Sequence, residues 1–188
     1  MKRLQRALGW LAVAGLAAGL VMAFGVVLVA SVSYLWGRAA GADRLAHASA
    51  EVGVVFTSIN IATGAIWGKP TWGAWWTWDA RLTSVSIMFV IYLAYLLLRA
   101  MIEDRERAAR FAAVLGIIAA LDIPLVHFSV YWWRTLHQPP TLLRPGSTPM
   151  DAMLVAALTI NLIAFTLLSA YFVAKRVRLL KREQEVLA

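Results

Sequence analysis

The sequence predicts an all-α, polytopic transmembrane helix bundle, a single integral membrane domain over residues 1–188, and three observations carry that prediction. The chain is 61% hydrophobic with a mean hydropathy of +0.70, more apolar surface than one soluble core can hide. Five apolar spans punctuate it, each near the ~20 residues that a bilayer requires. Basic residues collect in alternate connections, as the positive-inside bias demands.

The first apolar stretch runs from Leu8 to Trp36, unusually long for one span, although tilt absorbs an excess of length. The second runs from Leu45 to Trp67, the third from Leu82 to Arg99, the fourth from Phe111 to Trp133 and the fifth from Met150 to Ala174. All are expected to be helices, because in lipid each backbone N–H and C=O must be satisfied within its own segment. Pro124 predicts a kink in the fourth, with a carbonyl freed near Asp122. On the second, Thr57, Ser58, Asn60, Thr63 and Gly64 read as small and polar packing residues between helices.

Orientation follows from charge. Arg99, Arg105, Arg107 and Arg110 flank one connection, and Lys175, Arg176, Arg178, Lys181 and Arg182 fill the tail. The opposite connections carry only Lys69, Arg81, Arg134 and Arg144, so the C-terminus is expected on the cytoplasmic side and two connections, 67–83 and 132–149, on the outer face. The net charge of +8 is thereby topological and gives no reason to expect nucleic-acid binding. An odd number of spans puts the N-terminus outside, yet Lys2, Arg3 and Arg6 mark a cytoplasmic start. Two expectations resolve this conflict: part of a longer chain is absent near residues 8–36, or a five-span protein overrules its weak N-terminal charge. With no cysteine, the chain has no disulfide, no thiolate metal site and no covalent haem attachment motif.

The densest chemistry lies between Trp67 and Thr83, where Trp67, Trp72, Trp75, Trp76 and Trp78 share one stretch with Gly68, Pro70 and Gly73 and close on Asp79 and Arg81. An interfacial aromatic belt explains one or two Trp per helix end. Five in one connection instead suit a large flat ligand lying between rings. Asp79 doubles as a helix N-cap, and Arg81 either snorkels or meets the carboxylates of an anionic ligand, as do Lys69, Arg134 and Arg144. His137, just past Trp132 and Trp133, falls on the same face; it is either a loop histidine without a role, as most lone ones are, or, beside the aromatic platform, a ligand within axial reach of a haem iron. His127, inside a span, is either functional or a neutral histidine bonded to a neighbouring helix. His47 is assigned no role.

The block from Trp67 to Thr83, with its Trp75-Trp76-Thr77-Trp78-Asp79 core, resembles the tryptophan-rich signature of the haem-handling membrane proteins of cytochrome c biogenesis. The second block, Pro124 to Gln138, and the chain length resemble the CcmC family within that group. The resemblance covers Leu35 to the end of the fifth span and implies non-covalent, transient binding of haem b at the outer face. It implies Trp72, Trp75, Trp76, Trp78, Asp79, Arg81, Trp132, Trp133 and Arg134 as cofactor-binding residues and His137 as iron ligand, with His127 or an outside ligand as the substitute wherever a second ligand is missing. It further implies delivery to the periplasmic haem chaperone CcmE, with CcmA, CcmB, CcmD and membrane lipid as partners, in a bacterial inner membrane and without catalytic turnover. The family pattern has six spans and a second axial histidine in the first outer loop, followed by Val-Pro; this sequence contains no such residue. Two other readings stand beside delivery: a b-type cytochrome electron-transfer subunit, which needs paired histidines inside the bundle, and a haem permease.

Overall fold

The computed structural model describes residues 2–37, 39–133, 136–137 and 151–186. Six helices follow one another, α1 (Lys2–Gly37), α2 (Ala40–Trp72), α3 (Ala80–Met101), α4 (Arg105–Ala120), α5 (Asp122–Trp132) and α6 (Ala152–Val186), with no strand among the described residues. They supply five segments long and apolar enough to cross a membrane, the fourth being α4 and α5 together. This is a multi-pass helical membrane protein, as hydropathy predicts.

α1 is central, packed along α2 and flanked by α6 and α4. Lipid tails are as apolar as leucine, so shape fit and dispersion hold helices together in place of a hydrophobic drive. The α1–α2 contact shows that fit. A Cβ at Gly53 of α2 would lie 2.2 Å from the Phe24 ring of α1, and one at Gly19 of α1 would lie 2.3 Å from the Phe56 ring of α2. Each helix therefore offers a glycine notch to the other's phenylalanine. Phe24 continues into a parallel stack on Tyr92 of α3, with ring centroids 3.7 Å apart, so one ring ties three helices.

Polar groups inside the spans find local or crossing partners. Thr57, Ser58 and Thr63 donate to carbonyls of their own helix, whereas Asn60 Nδ2 donates across to Val13 O at 2.8 Å and Ser169 Oγ to Gly19 O at 3.0 Å. Of the polar residues read as inter-helix packing, Asn60 bonds another helix.

The fourth span breaks where Pro124 requires. The pyrrolidine ring removes the donor for the carbonyl of Ala120 and crowds it. α4 accordingly ends there, and Leu121 N donates to Ile118 O at 3.1 Å. Asp122, the next residue, is buried, and its Oδ2 has no hydrogen-bond partner among the described residues.

The two ends of the bundle differ in chemistry. At one end Arg99, closing α3, makes a bidentate pair with Asp43 near the start of α2, at 2.7 and 2.8 Å. At the same end Arg176 of α6 grips both oxygens of Glu51 and donates to Glu183. The two basic segments thus meet the same portion of α2, in keeping with their assignment to one side. The other end holds the tryptophan-rich connection.

Candidate functional site

The tryptophan-rich stretch, expected as a loop over 67–83, is helical at both ends. α2 continues through Pro70 to Trp72 and α3 starts at Ala80, leaving 73–79 as the connection. Gly73 ends α2 in the left-handed region, φ 81°, with its N–H on Lys69 O at 3.0 Å. Glycine suits that conformation because a Cβ would crowd the backbone. Lys69 Nζ also donates to Gly73 O at 3.1 Å and lies 6.0 Å from the Trp75 ring centre.

The connection then turns on Asp79, and its carboxylate does two jobs. Oδ1 accepts from Leu82 N at 2.8 Å and caps α3, the expected N-cap. Oδ2 lies 2.7 Å from Nδ1 of His137, which comes from the segment after α5. The pair is largely sheltered, with side-chain exposures of 7% for Asp79 and 17% for His137. Trp72 packs edge-on against the imidazole with centroids 4.6 Å apart, and Trp67 packs edge-on against Trp72 at 5.2 Å.

This arrangement sets the state of the histidine. Burial pushes His137 below its ordinary 6.5, Asp79 pulls it back up and the Arg81 charge pushes it down again, with the net direction downward. At neutral pH the ring is therefore neutral. Hydrogen-bonded through Nδ1–H to a carboxylate, it carries its lone pair on Nε2. A carboxylate holding the far nitrogen is how proteins fix the tautomer of a metal-bound histidine and raise its basicity.

The structure gathers some of the expected residues and separates others. Trp72, Asp79 and His137 form one cluster, and Arg81, partly buried, lies within electrostatic reach of Asp79 and of Tyr131 on α5. Trp76 and Trp78 pair with each other at 5.5 Å, and Trp75 and Trp78 are exposed. Trp132 and Trp133, both exposed, continue a ladder from Phe128. His127 is exposed on α5 with its ring edge-on to Phe128, and His47 sits at the opposite end, 3.4 Å from Glu51. His47 thus lies at the end of the bundle opposite His137. Arg134 and Arg144 lie outside the described residues, as does most of 132–149.

Two features escape sequence reasoning. The direct contact of Asp79 with His137 joins residues 58 positions apart, and nothing in the local pattern signals it. Trp76 Nε1 and Thr77 Oγ1 are buried with no hydrogen-bond partner among the described residues. Such orphaned donors commonly mark a place where a ligand or water completes the set.

The comparisons with known proteins agree in direction. The CcmC family pattern, described as Heme exporter protein C, matches residues 6–188. Heme exporter protein C of Bradyrhizobium diazoefficiens is 44% identical over 161 residues, 85% of this chain and 61% of the relative. That of Escherichia coli K12 is 39% identical over 137 residues, 73% of this chain and 55% of the relative. That of Haemophilus influenzae is 36% identical over 156 residues, 83% of this chain and 63% of the relative. The chain thus spans less than two thirds of the length of each of these relatives.

Proposed function

This chain belongs to the CcmC family, Heme exporter protein C, and from that premise we propose that it binds haem at the outer, periplasmic face of a bacterial inner membrane and hands it on for cytochrome c maturation. The observation that carries the reading is the Asp79–His137 pair under Trp72, a neutral imidazole held by a carboxylate against an indole. Among the described residues no group of three or more His, Cys, Asp or Glu is placed to hold a bare metal ion. Haem needs less from the protein, because its macrocycle supplies four donors and leaves only axial positions to fill.

His137 fills one axial position through Nε2. Asp79 keeps the ring in the coordinating tautomer, and the indoles lie against the macrocycle faces. Lys69, Arg81 and the unpartnered donors of Trp76 and Thr77 meet the propionates. Trp132 and Trp133 add further exposed indoles, and His127 or a ligand from outside the chain is the candidate for the second axial position. No covalent bond is made or broken by the chain, so the role is binding and release without catalysis. The receiver is the periplasmic chaperone CcmE, and CcmA, CcmB and CcmD complete the assembly. The C-terminus faces the cytoplasm, because the arginine-rich end of the bundle lies opposite the tryptophan-rich one.

The test is the visible spectrum of the purified protein, oxidised and reduced, beside His137→Ala and His127→Ala. Wild type is expected to show low-spin, doubly ligated haem. His137→Ala is expected to lose it or shift it to high spin. An unchanged spectrum in His137→Ala overturns the assignment.

A further inference from the structure

An apolar concavity lies at the other end, between α2 and α6 with Leu16 of α1 at its floor. It is an apolar trough of about 620 Å3, walled by Val55, Phe56 and Ile59 of α2 and Phe165 and Phe172 of α6. Its charged groups are Glu51, Lys175 and Arg176. From Ile59 to Glu51 is eight residues of helix, ~12 Å, and from Phe165 to Lys175 is ten, ~15 Å. A hydrocarbon core of ~30 Å has leaflets of about this depth. The trough therefore runs from mid-membrane to one interface, apolar along its length and charged at its mouth.

The charges there are not equivalent. Both oxygens of Glu51 are taken by Arg176, which also donates to Glu183 at 2.9 Å, so that cluster is internally satisfied. Lys175 is exposed and has no acceptor among the described residues. Beyond it, Arg178 and Arg182 are exposed on the same helix. A ligand suited to this place has a long apolar body and one negative charge at its head.

We propose that this trough is a binding site for one anionic phospholipid, its acyl chain lying along Val55, Phe56 and Phe172 and its phosphate on Lys175. The paired Glu51 offers little repulsion to that phosphate, because Arg176 already holds its charge. A lysine near the membrane surface favours an anionic lipid by about fivefold. The trough wall sets occupancy and Lys175 sets the choice of headgroup.

The experiment uses the purified full chain in nanodiscs of equal phosphatidylglycerol and phosphatidylcholine, followed by native mass spectrometry of the lipids that stay bound. Wild type is expected to retain one phosphatidylglycerol in preference to phosphatidylcholine. Lys175→Gln, a surface change that leaves packing intact, is expected to cut the preference about fivefold while a lipid is still held. Val55→Trp, which fills the trough, is expected to abolish retention of both lipids. Equal retention of the two lipids by wild type, or an unaltered preference in Lys175→Gln, overturns the proposal. So does lipid retained undiminished by a folded Val55→Trp, a tightly bound polypeptide in place of lipid, or haem loading that falls in Val55→Trp while lipid stays.

Discussion

Two carboxylates near opposite ends of the bundle make hydrogen bonds of the same length to nitrogen and serve different ends. Asp43 Oδ1 is 2.7 Å from Arg99 Nη1, and Asp79 Oδ2 is 2.7 Å from His137 Nδ1. Both pairs are largely sheltered, and both join residues more than fifty positions apart. The difference lies in what the base retains. A guanidinium has donors only, so the Asp43–Arg99 pair is chemically finished once its two bonds form. An imidazole that donates from Nδ1 still owns a lone pair on Nε2, and its carboxylate partner makes that lone pair more basic. The first contact is a clamp between α2 and α3, whereas the second holds an imidazole in the tautomer that the proposed ligation needs.

The clamp is broken most severely by Arg99→Leu, which leaves Asp43 sheltered and unpaired. The expected loss is ~3 kcal/mol, the scale for stranding one member of a buried pair. Thermal or denaturant unfolding reads it, and adding Asp43→Asn to the same chain is expected to return most of the loss. If Arg99→Leu unfolds like wild type, the pair is not a clamp.

The ligand-preparing contact is broken more selectively by Asp79→Asn. Asparagine still caps a helix, so α3 is expected to keep its start. The negative partner of His137 is lost, and haem affinity is expected to fall by roughly 10- to 100-fold in a spectrophotometric titration, the usual cost of removing such a partner. Unchanged affinity would show that His137 acts without Asp79.

Acid sharpens the comparison further. His137 titrates below its ordinary 6.5, mainly through burial. Because the folded value lies under the unfolded one, the associated stability is complete above about 6.5 and declines as pH falls through the folded value. Ligation follows the same sign, since iron and proton compete for one lone pair. Haem absorbance is expected to hold on acidification through 6.5 and to collapse below it. In haem-free Asp79→Asn, without the carboxylate that favours the protonated ring, the acid midpoint of His137 followed by NMR is expected lower still, and an upward move would reverse the assignment of roles.

The smallest effect belongs to the backbone that brings Trp72 to His137. Gly73→Ala forces a side chain into φ 81° and is expected to cost ~1 kcal/mol in unfolding measurements. Haem affinity is expected to change less than in Asp79→Asn.

The expected spans fall inside helices whose ends lie farther out. α1 reaches past Leu8 to Lys2, and α6 reaches past Ala174 to Val186. Hydropathy sees only the lipid-facing run, while hydrogen bonding continues a helix into polar sequence. The stretch from Trp67 to Trp72 is expected as loop because Pro70 signals a break; the helix instead runs through that proline, and the actual stop is Gly73. At the other proline the same rule succeeded, because Pro124 stands well inside a span and breaks it.

The sequence by itself determined the class of the protein, its spans, the basic and aromatic ends and the residue types of the site. These are sums and patterns over short windows, and a window of chain contains them. Tertiary structure alone decided that Asp79 serves His137 as well as α3, that Trp72 and not Trp75 meets the imidazole, and that Asp43 is spent on Arg99. A hydrogen bond needs its heavy atoms within about 3 Å. For residues 56 and 58 positions apart that tolerance is met by how α3 lies on α2 and where the chain emerges from α5, which no local pattern encodes.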